Sequence, residues 1–314
     1  MPLASSQYRK GLLQPAIRSI TQVLPHVTKA RSELNNILGD AYWITGDIHR
    51  AIDCQKQTLS DMAKRTSCEK IASTDYYFKM LTVDAHLSLG LYYIDLWELD
   101  QAASQFETVI ARASATPHQA WADKATVGLS LVRAYLGEHQ KATTLVNEVA
   151  ERLTLGTDGE CGRYGYFLQL LGQACSQLHL FDQAETLHTR AMLAAETGHY
   201  VQVKARTLAG RGVLKRQQDR FSEAIALHQQ AIALCAQIGA VCDQAEAYLQ
   251  LALTLQSVEQ ATEHATVRSP SSATPKKHDV PKHHSKQYFQ QARSLLSTMG
   301  APNRLARLTS VLSS

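Results

Sequence analysis

Five times in this chain a leucine or arginine followed by a small residue is answered by an alanine twelve residues beyond the small one. The pairs are Leu38-Gly39 with Ala51, Leu89-Gly90 with Ala102, Leu129-Ser130 with Ala142, Leu171-Gly172 with Ala184, and Arg211-Gly212 with Ala224. A residue without bulk lets a second helix backbone approach closely, and the alanine marks where the first helix leaves no room for a larger group. Recurrence at a fixed interval defines an array of helical hairpins, so the predicted fold class is all-α, an α-α superhelix of about six hairpins.

The small residues Gly39, Gly90, Ser130, Gly172, Gly212 and Ala252 are separated by 51, 40, 42, 40 and 40 residues. The first step exceeds the others by about three turns at 3.6 residues per turn, which favours longer helices around Asp61 to Tyr77 over a loop. Hairpins are expected over Thr28 to Arg65, Ile71 to Ala113, Pro117 to Leu155, Arg163 to Thr197 and Tyr200 to Ile238. Thr116-Pro117 reads as an N-cap followed by proline at the first helical position, and Gly198, Gly239 and Gly300 stand where helix C-terminal glycines belong. Ahead of these, Leu12, Leu13, Ala16, Ile17, Ile20 and Leu24 fall at helical spacing, so residues 1–27 read as an N-terminal capping helix or half-repeat.

The array itself is assigned to residues 28–256. In the sixth unit the second-helix alanine expected at position 271 appears as Ala292, an offset of 21 residues. The polar, Ser-, Pro-, Lys- and His-rich stretch between the two helices, residues 257–285, is predicted to be a disordered insert because it offers too little apolar surface to offset its ordering entropy. Residues 286–314 then supply the last second helix and a C-terminal cap.

Composition constrains partners. The net charge of +4 over 314 residues is too mild to demand nucleic acid or an acidic membrane, and no apolar run approaches the length of a membrane span. Cys54, Cys68, Cys161, Cys175, Cys235 and Cys242 form no C-x-x-C pair and read as reduced core residues. The expectation is a cytoplasmic protein with no membrane insertion.

The recurring elements resemble the tetratricopeptide repeats, in a long variety with 40-residue steps. Leu38, Gly39, Tyr42 and Ala51 carry the likeness in the first unit, and Leu89, Gly90, Tyr93, Ala102 and Phe106 in the second. The fourth and fifth keep Gly172, Ala184 and Ala191, then Gly212, Ala224 and Ala231. Departures fall at Gln55, Thr58, Ser130, Arg133, Arg211 and Lys215, where the pattern is apolar or small. The resemblance implies a concave wall lined by the first helix of each hairpin. It carries that wall here onto Asn36, Asp40, Trp43, Asp84, Leu91, Asp95, Lys124, Tyr135, Tyr166, Gln169, Gln173, Arg206 and Arg216, with Leu87, Val127, Leu131 and Val213 between them. Such a lining suits an extended or helical peptide, with Trp43, Leu91 and Tyr135 as anchors and Arg206 and Arg216 meeting acidic groups.

Competing chemistry is weak by comparison. His278, His283 and His284 lie in the predicted insert, where no coordination geometry is fixed. Ser67-Cys68-Glu69-Lys70 has the S-x-x-K spacing without its companion motifs, and Gly159, Gly162 and Gly165 lack the preceding strand of a phosphate loop. His188 and His228 read as neutral core residues. No catalytic constellation, metal or cofactor is therefore expected. The chain reads as a non-enzymatic protein-protein interaction module, an adaptor or assembly factor with a protein or peptide partner. The alternative is a regulatory sensor arm for a small peptide or metabolite, with nucleic-acid binding ranked below both.

Overall fold

In a computed structural model, residues 12–27, 30–68, 76–113, 119–155, 161–268 and 284–313 are described. Their regular structure is helical throughout. Leu13–Val23 and a single 3-10 turn precede six hairpins: Arg31–Ile44 with Ile48–Cys68, Tyr76–Leu96 with Leu99–Ala113, Gln119–Tyr135 with His139–Leu155, Cys161–Gln177 with Phe181–Thr197, Val201–Gln217 with Phe221–Ile238, and Val241–Arg268 with His284–Thr298. Pro302–Ser313 closes the chain. No helix among the described residues is long and apolar enough to cross a membrane.

The small-residue rule works as the spacing implies. Ala51, Ala102, Ala142, Ala184 and Ala224 are all fully buried. Facing the small residues is a second row, Gln55, Phe106, Val146, His188, His228 and Phe289, each almost wholly enclosed. A methyl group on Gly90 would stand 2.6 Å from Phe106, and one on Gly128 of the next hairpin 2.4 Å from the same ring. Phe106 is thus clamped between two backbones, and His188 sits in the same way between Gly172 and Gly210.

Departures from the repeat pattern find local partners, though Gln55 Oε1 and Arg211 Nε have none. Gln55 donates to the Tyr92 hydroxyl at 3.1 Å, and Thr58 to the Cys54 carbonyl at 3.1 Å. Arg133 pairs with Glu107 and Glu138, while Arg211 and Lys215 share Glu185. Each cation replaces an apolar contact with an ion pair to the preceding hairpin or the adjacent turn.

The turn inside each of the first five hairpins repeats one device. Gly46, Trp97, Gly137, His179 and Asp219 all take positive φ, between 56° and 89° with the other such positions. The following amide bonds back to the carbonyl five residues earlier at 2.9 Å in all five: Asp47 to Tyr42, Glu98 to Tyr93, Glu138 to Arg133, Leu180 to Cys175 and Arg220 to Lys215. This closes the first helix and turns the chain back antiparallel. Gly239 and Gly300 take the left-handed conformation as anticipated, but Gly198 does not: its φ is −88°, and His199 beside it carries the positive angle instead.

Two further points concern helix length, the first in agreement with the spacing and the second a difference from it. The helices flanking the long first step both run 21 residues, as the preference for extension requires of their described parts. The first helix of the sixth hairpin continues to Arg268, twelve residues beyond the Gln256 end implied by the start of the insert. Glu259 explains part of that continuation, because its carboxylate accepts from the Ser285 hydroxyl at 3.2 Å and ties the extended helix to its partner. The Thr116-Pro117 cap, Gly159 and the histidines His278 and His283 lie outside the described residues.

First helices pack against first helices of the neighbouring hairpins and make the inner wall, and the array also closes on itself. The first hairpin's Arg31–Ile44 helix touches Val241–Arg268 of the sixth, and the terminal Pro302–Ser313 helix touches Tyr76–Leu96. At the closure a side chain on Gly46 would meet Val241 and Met299, and the His49 ring lies 3.3 Å from the Gly300 carbonyl oxygen.

Two predictions follow from the buried row. Gly90→Ala drives a methyl group into Phe106 and is expected to cost about 1–3 kcal/mol in chemical denaturation, part of which Phe106→Leu restores in the double variant. His188 is expected to make the fold acid-sensitive. Burial holds its folded-state pKa at about 4 against an ordinary 6.5, so the unfolded chain takes up the proton first as pH falls. The contribution of the neutral ring is complete above pH 6.5 and lost progressively toward pH 4. His188→Phe, matching the Phe106 arrangement, should therefore shrink the stability loss between pH 7 and 5 by about 2 kcal/mol in urea titrations.

Candidate functional site

The inner wall converges on one guanidinium. Arg206 donates through Nε to Asp243 at 2.5 Å, through Nη2 to Asp95 at 2.9 Å, and through Nη1 to the Tyr166 hydroxyl. Its carbon lies 5.2 Å from the Trp43 ring centre and 5.1 Å from that of Tyr166, within cation-π range. Trp43 gives its indole N–H to Asp95 at 2.7 Å, and Gln202 donates to Asp243 at 3.0 Å. Burial opposes the charge on Arg206, but Asp243, Tyr166 and Asp95 outweigh it and hold the group firmly protonated. Burial pushes the Asp243 carboxyl upward, with Arg206 opposing.

Beyond this knot lies a pocket of about 60 Å³. Leu91, Ile94, Leu131, Leu170 and Val213 give it apolar walls, while Gln169, Gln173, Glu246, Gln250 and Arg304 supply polar groups. Glu246 accepts from Gln250 at 2.7 Å and from Arg304, and burial of its carboxyl is outweighed by Arg304 and Arg307, which lower its pKa. Gln173 donates to the Tyr135 hydroxyl at 2.5 Å and receives from Gln169 at 3.3 Å. Tyr135 packs on Trp97 with centroids 4.7 Å apart, and Arg307 lies 3.8 Å over the Trp97 ring. The unusual left-handed backbone of Trp97 therefore stands beside the site.

Several polar atoms here have no partner within the protein. The carbonyl oxygens of Gln169 and Gln250, Nε and Nη1 of Arg304, and Nη1 of Arg216 are buried without a hydrogen bond. Asp95, Cys242 and Asp243 lie within 4.8 Å of one another, a spacing a metal could use. Arg206 already occupies both carboxylates, and burial holds the Cys242 thiol well above its ordinary range, so this donor set does not suit a cation.

Of the wall positions carried over from the repeat pattern, Trp43, Asp95, Tyr166 and Arg206 come together in the knot, and Leu91, Tyr135, Gln169 and Gln173 line the pocket. Two expected roles change. Trp43 is only 4% exposed and spends its N–H on Asp95, so it is not an anchor on an open wall. Arg206 meets acidic groups of its own chain. The others sit apart: Asn36 donates to Asp84 at 3.3 Å, Asp40 accepts from Tyr92 at 2.7 Å, and Lys124 lies 4.7 Å over Trp121. Arg216 is near Glu246 and Arg307 electrostatically. Sequence reasoning missed Asp243, Glu246, Gln250, Arg304 and Arg307. Glu246 stands 40 residues after Arg206 and extending the same register would have found it, whereas the terminal helix has no place in that register.

The Tetratricopeptide repeat family pattern matches residues 32–60. Among solved structures, the chain is similar to Bacillus thuringiensis PlcR in complex with the peptide PapR7 and DNA, at 11% identity and a TM-score of 0.57, covering 94% of this chain and 98% of that one. It is similar also to the apo form of RapI, at 14% identity and a TM-score of 0.55, covering 94% and 96%. No curated protein matches the sequence at a significant level. The fold is a solenoid of tetratricopeptide-repeat type.

Removing the central cation leaves two buried carboxylates uncompensated. Arg206→Met is expected to cost about 3–5 kcal/mol at pH 8. The loss should be smaller at pH 5, because burial already pushes the Asp243 carboxyl upward and, without the cation opposing it, that group can fold protonated. Urea titrations at the two pH values check both the size and the pH trend.

Proposed function

We propose that this chain is a non-enzymatic interaction module that receives a short peptide segment of a partner inside the ring of first helices. One observation carries the reading: an apolar-walled pocket holds buried acceptors on Gln169 and Gln250 and buried donors on Arg304, all unpaired. Burying such groups unpaired is costly, and a peptide backbone offers a donor and an acceptor at every residue. That PlcR, a protein of the same fold, is solved with the peptide PapR7 is consistent with this use of the solenoid.

Reactive groups at the site are unsuited to chemistry. Burial raises the Tyr135 and Tyr166 phenols and the Cys235 thiol far above neutral pH, and Asp95 and Asp243 are held by Arg206. The contact of the terminal Pro302–Ser313 helix with the second hairpin favours the sensor form of the reading over a passive adaptor. A ligand in the pocket would touch Leu91 of that hairpin and Arg304 of that helix, and so would bias how firmly the two close.

A photoreactive side chain in place of Gln173 tests this in a lysate of the source cells. Crosslinks to one partner, abolished by Leu131→Arg, are expected. Crosslinks unaffected by Leu131→Arg, or capture on the outer helices alone, would sink the proposal.

A further inference from the structure

Charge is unevenly divided along the pocket. At one end Arg206 is shared between Asp95 and Asp243. At the other, Glu246 faces the fields of Arg304, Arg307 and Arg216, and Asp95 also reaches Arg304. Arg307 is engaged with the Trp97 face. Arg304 is 6% exposed, gives Nη2 to Glu246, and keeps two further donor nitrogens unpaired. Arg216 stands one helical turn beyond the pocket-lining Val213, with Nη1 unpaired. Its guanidinium is pulled down to about 10 by burial, which Glu246 offsets only in part. Four guanidinium groups, Arg206, Arg216, Arg304 and Arg307, therefore stand against three carboxylates, Asp95, Asp243 and Glu246, in a buried place where electrostatic attraction is strong.

Resting on the peptide reading above, we propose that this end of the pocket takes a carboxylate of the bound peptide. Arg304 supplies charge-assisted hydrogen bonds through its unpaired donors, and Arg216 completes the charge balance. The carboxylate is either the peptide's C-terminus or an aspartate or glutamate side chain. Glu246 is its internal competitor, since it already occupies one edge of Arg304.

The test presents random heptapeptides to the full chain in four pools, with free or amidated C-termini and with or without Asp and Glu, and reads retained peptides by mass spectrometry. Retention confined to free C-termini identifies the terminus, and retention following Asp and Glu identifies the side chain. In either case Arg216→Gln should weaken the retained peptides by about tenfold, a difference of 1.4 kcal/mol, and Glu246→Gln should tighten them. Circular dichroism melting shows whether each variant is folded. If Arg216→Gln does not fold, the Glu246→Gln gain decides, because a merely structural carboxylate would give a loss. Equal retention of the neutral, amidated pool, or no tightening in Glu246→Gln, overturns the carboxylate assignment and leaves peptide binding standing. Retention from no pool overturns peptide binding itself.

Discussion

A buried guanidinium with two buried carboxylates is the constraint around which the inner wall is organised. Arg206 and Asp95 are 111 residues apart, and Asp243 comes from a third hairpin. None of the three could be left in the interior alone, because an isolated buried charge costs several kcal/mol even after relaxation. Hairpins two, five and six must therefore arrive together. Trp43 then fixes the first hairpin to the same point through its indole N–H and its ring face. A well-packed apolar substitute would stabilise the interior as well or better, so the cluster is better understood as setting which helices meet than as adding net stability.

This alters the physics expected of a repeat array. In an open solenoid each unit touches only its neighbours, and stability is close to a sum of local terms. Here the contact between His49 and Gly300 spans 251 residues, and Gly46 abuts Val241 and Met299. Loss of an end hairpin therefore exposes the facing end as well as its neighbour. Closure couples the ends.

Legibility differed by the kind of interaction. The hairpins were readable because steric exclusion is local: a methyl group has no room at Gly90, and the alanine row leaves none for larger groups. Even there, conformation outran composition. The left-handed residue inside the hairpins is glycine at Gly46 and Gly137 but Trp97, His179 and Asp219 elsewhere, and no turn rule singles out a tryptophan. Repeat register brought Trp43, Asp95, Tyr166 and Arg206 onto one wall, but it could not say that the ring closes and spends them on one another. Asp243 carried a faint signal, standing 40 residues after the buried Val203, where an acid is out of place unless a cation reaches it. Arg304 and Arg307 lie beyond the array and carried none.

The same closure explains why the interior is polar in so narrow a space. A groove meant only to bury apolar surface could be lined by leucine throughout, as it is at Leu91, Leu131 and Leu170. Amide and guanidinium groups without a partner in the protein stand among those leucines, and covering one without pairing it costs about 1–3 kcal/mol. In the proposed reading a ligand would satisfy them beside the contact of the terminal helix with the second hairpin, which would link affinity to closure. Under the peptide reading proposed above, apolar walls would supply contact area and the unpaired groups discrimination, while the Arg206 knot holds both in a fixed frame.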